Sequence, residues 1–353
     1  METSPQSPAP VRNVPLLIER WPTEIPFLAL ILFVSIPVWI FLSVSIIGIF
    51  YVALFGIVFF VARLSLTAHI RGSGIRLGPN QFPELYHRVV ELSQKLGLRK
   101  TPEAYIVQAG GLLNAFAARF LRSNMIILYS DLLEACGDNL AARDMIIAHE
   151  LGHIRAGHLR WHWFLAPGMM IPFLGTAYSR AREYTCDRYG LIGAGNREGA
   201  MRGLAILAAG GQKGPKVNLE EFGKQKELLN TGFMTIGEWL STHPPLSKRI
   251  LALDQELNAL VPSQTKGTIR ALTLMASLYL IPMAIIFSLI FAFASVNLKK
   301  IRQQVENRTN QINQVNQQQT DAQQRLEDIL KKLNENKVPN ENPPGENPPG
   351  ENP

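Results

Sequence analysis

The chain contains a run of 36 consecutive residues, Phe27 to Ala62, in which no side chain carries a charge. A single helix of that length would be about 54 Å long, which far exceeds the ~30 Å hydrocarbon core of a bilayer. We therefore predict a hairpin of two transmembrane helices over residues 26–63, with its turn between Ser43 and Gly48. A cleaved signal peptide fits less well, because it has a shorter apolar segment and a cleavage site of small residues.

A second apolar block, Ala271 to Val296, predicts a third transmembrane helix over residues 270–296. Basic residues flank this block on both sides. The segment 163–178 is too short to span a bilayer and is interrupted by prolines and glycines, so we predict that it is buried or interfacial. The sequence therefore indicates an integral membrane protein with the lipid bilayer as a partner.

Basic residues around these blocks predict the orientation in the membrane. A hairpin returns the chain to its starting side, and that side carries Arg12, Arg20, Arg63, Arg71 and Arg76. The positive-inside rule then favours a domain that faces the cytoplasm at the plasma (inner) membrane. The basic residues after the third block, at positions 299, 300 and 302, argue for the opposite orientation. The net charge of +7 suits an anionic leaflet, and no basic stripe with interleaved aromatic residues indicates nucleic-acid binding.

The region after the third block has the spacing of a coiled coil. Ten positions from Ile301 to Leu333 follow alternating steps of four and three, and eight of them are apolar. This pattern predicts a coiled coil over residues 298–335 and a homo-oligomer formed through residues 301–333, with a single helix lying on the protein or membrane as the alternative. Residues 1–25 and the Pro-rich residues 336–353 are predicted to be disordered.

Residues 149–153 read His-Glu-Leu-Gly-His, which is an HExxH motif. Positions i and i+4 share one face of a helix, so His149 and His153 can present two imidazole nitrogens to one metal ion. Glu150 lies beside that face, where its carboxylate can take a proton from a zinc-activated water as a general base. The alternative is an ordinary amphipathic helix with two hydrogen-bonded histidines.

A catalytic zinc site needs a third protein ligand. The sequence has Leu159 where the HExxHxxGxxH pattern has its third histidine, and His158 is one residue out of register. Glu183 and Asp187 form a second i, i+4 pair, so we expect Glu183 to complete the site and Asp187 to accept the far N–H of a ligating imidazole. His69, His87, His158 and His162 follow no ligand spacing relative to the HExxH pair, and most of them are expected at polar surfaces or interfaces, whereas Cys186 is expected to be a buried, unreactive thiol.

These motifs resemble those of the gluzincin zinc metallopeptidases of the HtpX-like and CAAX prenyl protease group. Residues 113–117 contain Asn-Ala-Phe-Ala, which is similar to the segment that forms an edge strand beside the active site in that family. Residues 241–245, followed by Arg249, resemble the family's Thr-His-Pro-Pro…Arg segment. The resemblance covers residues 70–255.

The resemblance implies further site residues. It places His243 near the scissile carbonyl, and it implies that Asn114 and Ala115 offer backbone groups to an extended substrate. It leaves open whether Arg249 pairs with a carboxylate near the site or is a surface charge.

We therefore predict a mostly helical, membrane-anchored fold, whose α+β catalytic core (residues 64–265) has two zinc-binding helices and a small edge sheet within residues 103–130. One zinc ion per chain is expected. The leading hypothesis is an endopeptidase that hydrolyses peptide bonds in membrane or membrane-associated proteins. A processing peptidase of narrow specificity is one alternative. A non-catalytic membrane scaffold assembled through the coiled coil is the other, and it predicts that Glu150 and His243 are dispensable.

Overall fold

The structure is a computed structural model that describes residues 18–335 except residues 109, 112 and 264. The described chain forms two compact units, the first ending at Leu274 and the second beginning at Met275. The predictions of disorder for residues 1–17 and 336–353 lie outside the described residues. Residues 18–25 are packed, because Trp21 stacks on Tyr184 at 4.5 Å between ring centroids and Glu24 is buried. The predicted disordered segment therefore does not extend to residue 25.

Two apolar helices, α1 (Glu24–Val44) and α2 (Ile46–Ser73), open the first unit and are joined through Ser45. Ser45 has an extended backbone, which ends α1, and its hydroxyl accepts a hydrogen bond from the first turn of α2. Trp163 contacts Trp39 of α1 and Phe59 of α2, at 5.8 and 5.4 Å between ring centroids. Both helices thus pass the same residue, as expected for a hairpin that turns between residues 43 and 48.

In the sequence, the strands of the first unit's sheet follow the hairpin and precede the central helices. Its described strands are β1 (Ile75–Arg76), β2 (Glu103–Val107), β3 (Ala115–Phe120) and β4 (Ser123–Tyr129), in the order β1-β2-β4-β3. Strand β4 is parallel to β2 and antiparallel to β3, and it buries four consecutive residues from Met125 to Leu128. Strand β3 therefore forms an edge of the sheet, which confirms the predicted edge strand.

Helices make up most of the remaining first unit. They are α3 (Pro83–Lys95), α4 (Ser130–Cys136), α5 (Leu140–Arg155), α6 (Ala166–Met169), α7 (Leu174–Ala194), α8 (Arg197–Lys213), α9 (Leu219–Lys224), α10 (Gly232–Leu240), α11 (Leu246–Leu253) and α12 (Gln255–Ala259), with 3₁₀ turns at Gly214–Lys216 and Gln225–Leu229. Asn139 caps the N-terminus of helix α5, because its side chain accepts a hydrogen bond from the Ala142 N–H. Its central residues, from Met145 to Gly152, are all buried, so the HExxH segment lies inside the domain.

Glycines allow helices α5 and α7 to approach closely. A Cβ atom at Gly193 would lie 2.2 Å from Ala148 Cβ, and one at Gly152 would lie 2.9 Å from Tyr189 Cβ. Carbon atoms in normal contact are about 3.5–4.0 Å apart, so a larger residue at either position would push the helices apart. The two helices that carry the candidate site residues are therefore packed almost backbone to backbone.

Residues 163–178, which the structure describes throughout, contain the short helix α6, turns and the first residues of α7. The Gly168 N–H donates a hydrogen bond to Ser35 Oγ at 3.0 Å, and Trp39 Nε1–H donates one to the Phe164 carbonyl at 2.7 Å. This segment therefore packs against α1, with Leu165 and Tyr178 buried and Met170 exposed, and its interfacial position stays a prediction.

The long helix α13 (Thr265–Glu335) begins in the first unit and forms the described part of the second. Among the described residues, α1, α2 and α13 are the three helices long and apolar enough to cross a membrane. Helix α13 starts before the predicted span 270–296 and continues through residues 301–333. Apolar residues of the heptad pattern, such as Ile312 and Leu326, are exposed on it. The coiled coil and the homo-oligomer therefore stay predictions.

Candidate metal centre

The candidate metal ligands come together between α5 and α7. Glu183 Oε2 lies 3.4 Å from His149 Nε2, and Glu183 Oε1 lies 3.4 Å from His153 Nε2. One donor atom from each of the three residues lies within 4.8 Å of the others. Zinc–ligand bonds of about 2.0–2.1 Å in a tetrahedral site put neighbouring ligand atoms roughly 3.3–3.4 Å apart. The donor set therefore has the chemistry and the spacing of a site with two histidines and one glutamate around zinc.

In both His149 and Glu183, burial shifts the pKa in one direction and hydrogen bonding shifts it in the other. Burial alone lowers the pKa of His149, but hydrogen bonds with Asp187 and Glu183 outweigh it and raise the pKa to about 10. Burial alone raises the pKa of Glu183, but hydrogen bonds with His149 and His153 hold that pKa well below its usual value. A metal cation competes with the imidazole proton for the same nitrogen, so metal binding at this site is expected to release protons and to weaken at low pH.

A cleft of about 570 Å³ opens onto this donor set and is lined by Asn114, Ala115, Glu150 and His243. Glu150 is 7% exposed, and this low exposure strengthens electrostatic interactions at its carboxylate. Ala115 begins the edge strand β3. The His243 side chain is 69% exposed, and its Nε2 lies 3.8 Å from Glu183 Oε1. The structure thus brings the residues expected from the HExxH motif and from the resemblance to one cleft.

Asp187 lies one turn after Glu183 on α7 and contacts His149. Its Oδ1 is 3.0 Å from His149 Nδ1. Arg249 of α11 donates two hydrogen bonds to the Asp187 carboxylate, from Nε at 2.8 Å and from Nη2 at 2.6 Å. Burial alone raises the pKa of Asp187, but Arg249 holds it below its usual value. Arg249 is therefore no surface charge, because its buried guanidinium pairs with a carboxylate of the site.

His158 does not follow the expectation that most of these histidines lie at polar surfaces or interfaces, because its side chain is 1% exposed. His158 Nδ1 lies 3.1 Å from His153 Nδ1, and His158 Nε2 lies 3.2 Å from Glu24 Oε1. Burial lowers the pKa of His158 to about 4. Cys186 is fully buried as expected, and burial raises the pKa of its thiol well above the usual value. The spacing between His158 and the HExxH motif does not predict that His158 is buried. Its buried position depends on the contact with Glu24, which is 134 residues away in the sequence.

Sequence reasoning also missed cleft residues on α2 and around α6 and α7. Phe59, Arg63, His162 and Arg182 line the cleft, and the Arg63 guanidinium lies 5.3 Å from the centre of the Phe59 ring. Phe59 belongs to the charge-free run, where an aromatic residue that faces a cleft cannot be told from one that faces lipid. One wall of the cleft therefore comes from a helix with the composition of a membrane span.

Two packed helices that bring an HExxH pair and a distant glutamate to one cleft form the arrangement of a gluzincin metallopeptidase. Residues 79–171 and 164–257 match the family described as Peptidase family M48, and together they cover just over half of the chain. The chain belongs to peptidase family M48. This assignment confirms the gluzincin resemblance.

The chain is also similar to the plastoglobule-localized metallopeptidase 48, chloroplastic, of Arabidopsis thaliana, with 26% identity over 155 residues. That match covers 39% of this chain and 44% of the relative, so the chain matches less than half of the relative's length. A crystal structure of S. mikatae Ste24p superposes with a TM-score of 0.38 and 17% identity, and covers 65% of this chain and 62% of that chain.

Proposed function

We propose that this chain is a membrane-anchored, zinc-dependent endopeptidase that hydrolyses peptide bonds of membrane or membrane-associated proteins. The observation that supports it best is the 3.4 Å spacing of the His149, His153 and Glu183 donor atoms, beside Glu150, in a cleft of about 570 Å³. Membership of family M48 supports both the zinc ion and the protein or peptide substrate.

Each group of the cleft has a role in this proposal. His149, His153 and Glu183 hold one zinc ion per chain. When bound, the zinc supplies a Lewis acid that lowers the pKa of a water molecule toward ~7. The Glu150 carboxylate accepts a proton from the attacking water and passes it to the leaving amine. His243 donates a hydrogen bond to the oxygen of the scissile carbonyl as negative charge develops there.

The substrate backbone binds along β3 in this proposal. Strand β3 pairs with β4 on one side, and its other side is the edge to which an extended peptide can add. The Ala115 N–H donates to Asn114 Oδ1 at 2.9 Å, so the Asn114 side chain must turn away before this N–H can bond to a substrate. Asn114 and Ala115 lie at the start of this strand, and both line the cleft. Main-chain hydrogen bonds do not depend on the substrate's side chains, so this mode favours an endopeptidase with broad sequence tolerance.

We also propose that the catalytic domain faces the cytoplasm at the plasma (inner) membrane. Arg63, Arg71 and Arg76 follow the uncharged hairpin, and the positive-inside rule places such residues on the cytoplasmic side. Protease digestion of sealed vesicles tests the orientation. Degradation of the domain in inside-out but not in right-side-out vesicles supports it, and the opposite pattern reverses it.

The activity is tested with the full-length protein, purified in detergent, by cleavage of unfolded casein and of its own chain, with bound zinc quantified. Glu150→Gln should abolish cleavage and retain about one zinc per chain, because Glu150 is outside the donor set. Glu134→Gln, at an exposed position on α4, is the matched control and should cleave like the parent. Zinc without cleavage by the parent would favour a processing peptidase or the scaffold, and no zinc in any variant would contradict the site.

A further inference from the structure

We propose that Glu24 and His158 are positioning residues that orient the imidazole of His153, so that the first residue of the apolar helix α1 is connected to the metal centre. The inference rests on the proposed function, because it takes His153 as a metal ligand. The structure places Glu24 Oε1, His158 Nε2, His158 Nδ1 and His153 Nδ1 in one continuous chain of contacts, at 3.2 and 3.1 Å.

Hydrogen-bond chemistry fixes the direction of this chain. An ionised carboxylate only accepts hydrogen bonds, so His158 Nε2 must be the donor to Glu24. A neutral imidazole that donates from Nε2 accepts at Nδ1, and two groups lie there, His153 Nδ1 at 3.1 Å and the Cys186 thiol at 3.6 Å. A thiol is a weak donor, so the shorter contact assigns the hydrogen bond to His153 Nδ1–H. His153 then keeps the lone pair of its Nε2, the atom that lies 3.4 Å from Glu183 Oε1. Glu24 thus selects, through His158, the tautomer that His153 needs in order to bind a metal ion.

Glu24 is itself held firmly in place. It is fully buried, and a buried carboxylate is stable only where ionic or hydrogen-bonding partners surround it. Arg20 pairs with it from the preceding turn, and the Thr185 hydroxyl of α7 donates a hydrogen bond to its other oxygen. The Trp21 N–H in turn donates to Thr185 Oγ1 at 2.8 Å. The start of α1 is therefore fastened to α7, the helix that carries Glu183.

The two histidines of the HExxH motif are oriented from different elements. His149 contacts Asp187 of α7 directly. His153 contacts a carboxylate of α1 through His158, which lies just beyond the end of α5. Carboxylates that orient ligating imidazoles commonly raise metal affinity by roughly 10- to 100-fold. A displacement of α1 would consequently change the orientation of the His153 imidazole, even if α5 and α7, the helices that carry the metal ligands, did not move.

A competing interpretation is a second metal site. Donor atoms of His153, His158 and Cys186 also lie within 4.8 Å of one another. That site would share His153 with the first, so this imidazole would have to lose both ring protons. The hydrogen-bonded chain needs only neutral imidazoles, and it accounts for the contacts of His158 with Glu24 and His153.

Metal affinity tests the proposal independently of cleavage. The full-length protein in detergent is loaded with zinc, and the dissociation constant is measured by competition with a chelator. The visible absorption of the cobalt-substituted protein reports the ligand geometry. His158→Leu should weaken zinc binding roughly 10- to 100-fold and shift the cobalt bands. His158→Asn, whose amide keeps a polar atom near the Nδ1 position, should recover most of the affinity, and Glu24→Gln should be intermediate.

Ser35→Ala is the matched control, because Ser35 is a buried residue of the same helix that bonds to Gly168 and lies outside the chain of contacts. It should keep the parent's cobalt spectrum even if it lowers thermal stability. Parent-like affinity and spectrum in both Glu24→Gln and His158→Leu would overturn the proposal. So would a second ion per chain that is lost in Cys186→Ala. If the parent binds zinc but cleaves nothing, the proposed activity fails while these affinities still decide the positioning role.

Discussion

Replacing Gly193 with alanine tests whether the close packing of α5 on α7 sets the geometry of the metal centre. The new Cβ would lie 2.2 Å from Ala148 Cβ and 2.7 Å from the Asp144 carbonyl oxygen. Carbon contacts need about 3.5 Å, so the helices must separate locally by about 1.3 Å. Ala148 precedes His149 in the chain, and the displacement therefore acts directly on a candidate ligand.

Two opposing energies decide the stability of this variant. Overpacking a buried contact costs about 1–3 kcal/mol, whereas alanine in place of glycine inside a helix gains about 1 kcal/mol. We expect Gly193→Ala to be destabilised by up to about 2 kcal/mol, and its zinc affinity to fall because the 3.4 Å spacing between His149 and Glu183 widens. Gly237→Ala in α10, where nothing lies within 4 Å of the added Cβ, is the control and should gain up to about 1 kcal/mol.

The assay is denaturant unfolding in detergent, followed by helical circular dichroism, together with chelator competition for zinc. The same chemical substitution should change the free energy of unfolding in opposite directions at the two glycines. If Gly193→Ala were as stable as Gly237→Ala and bound zinc like the parent, the reasoning that the glycine contact fixes the ligand geometry would be refuted.

Further predictions concern single groups. Asp187→Asn should weaken zinc binding roughly 10- to 100-fold in a chelator competition, with unchanged helical circular dichroism. His243→Ala should retain zinc and folding, since this side chain is largely exposed, but should lower kcat for casein roughly 100-fold. Cys136 and Cys186 should resist a maleimide at pH 7 until the protein is denatured, because burial raises both thiol pKa values, that of Cys136 to about 11; mass spectrometry measures the modification. Deletion of residues 301–333 should reduce the number of chains per particle, obtained by dividing the protein mass from light scattering by the mass of one chain, and an unchanged number contradicts the predicted homo-oligomer.

Local patterns in the sequence predict those features that depend on neighbours along the chain. The i, i+4 spacing predicts that His149 and His153 share a helix face, and α5 has that face. A run that is too long for one span predicts a hairpin, and the chain breaks at Ser45, within the expected turn. The partner of Arg249 cannot be read in this way, because Asp187 is 62 residues away and the pair forms only when α7 and α11 pack together.

Local sequence patterns do not predict the long-range contacts of buried polar groups. From the sequence, Glu24 is only a charged residue before an apolar run. In the structure it is fully buried, because it contacts α7 and His158. In the same way, Phe59 reads as one of many apolar residues of a span. Hydropathy alone does not distinguish a side chain that faces lipid from one that faces a cleft.

The position of Arg63 has a consequence for the choice of the scissile bond. Arg63 is the first charged residue after the 36-residue run, and both it and Phe59, one helical turn earlier, line the cleft. Under the proposed function, the end of the apolar span and the reaction centre therefore share one cleft. The distance from the bilayer would then determine the scissile bond: a membrane substrate would be cleaved at a fixed distance from the end of its own transmembrane segment, independently of the amino-acid sequence at that position.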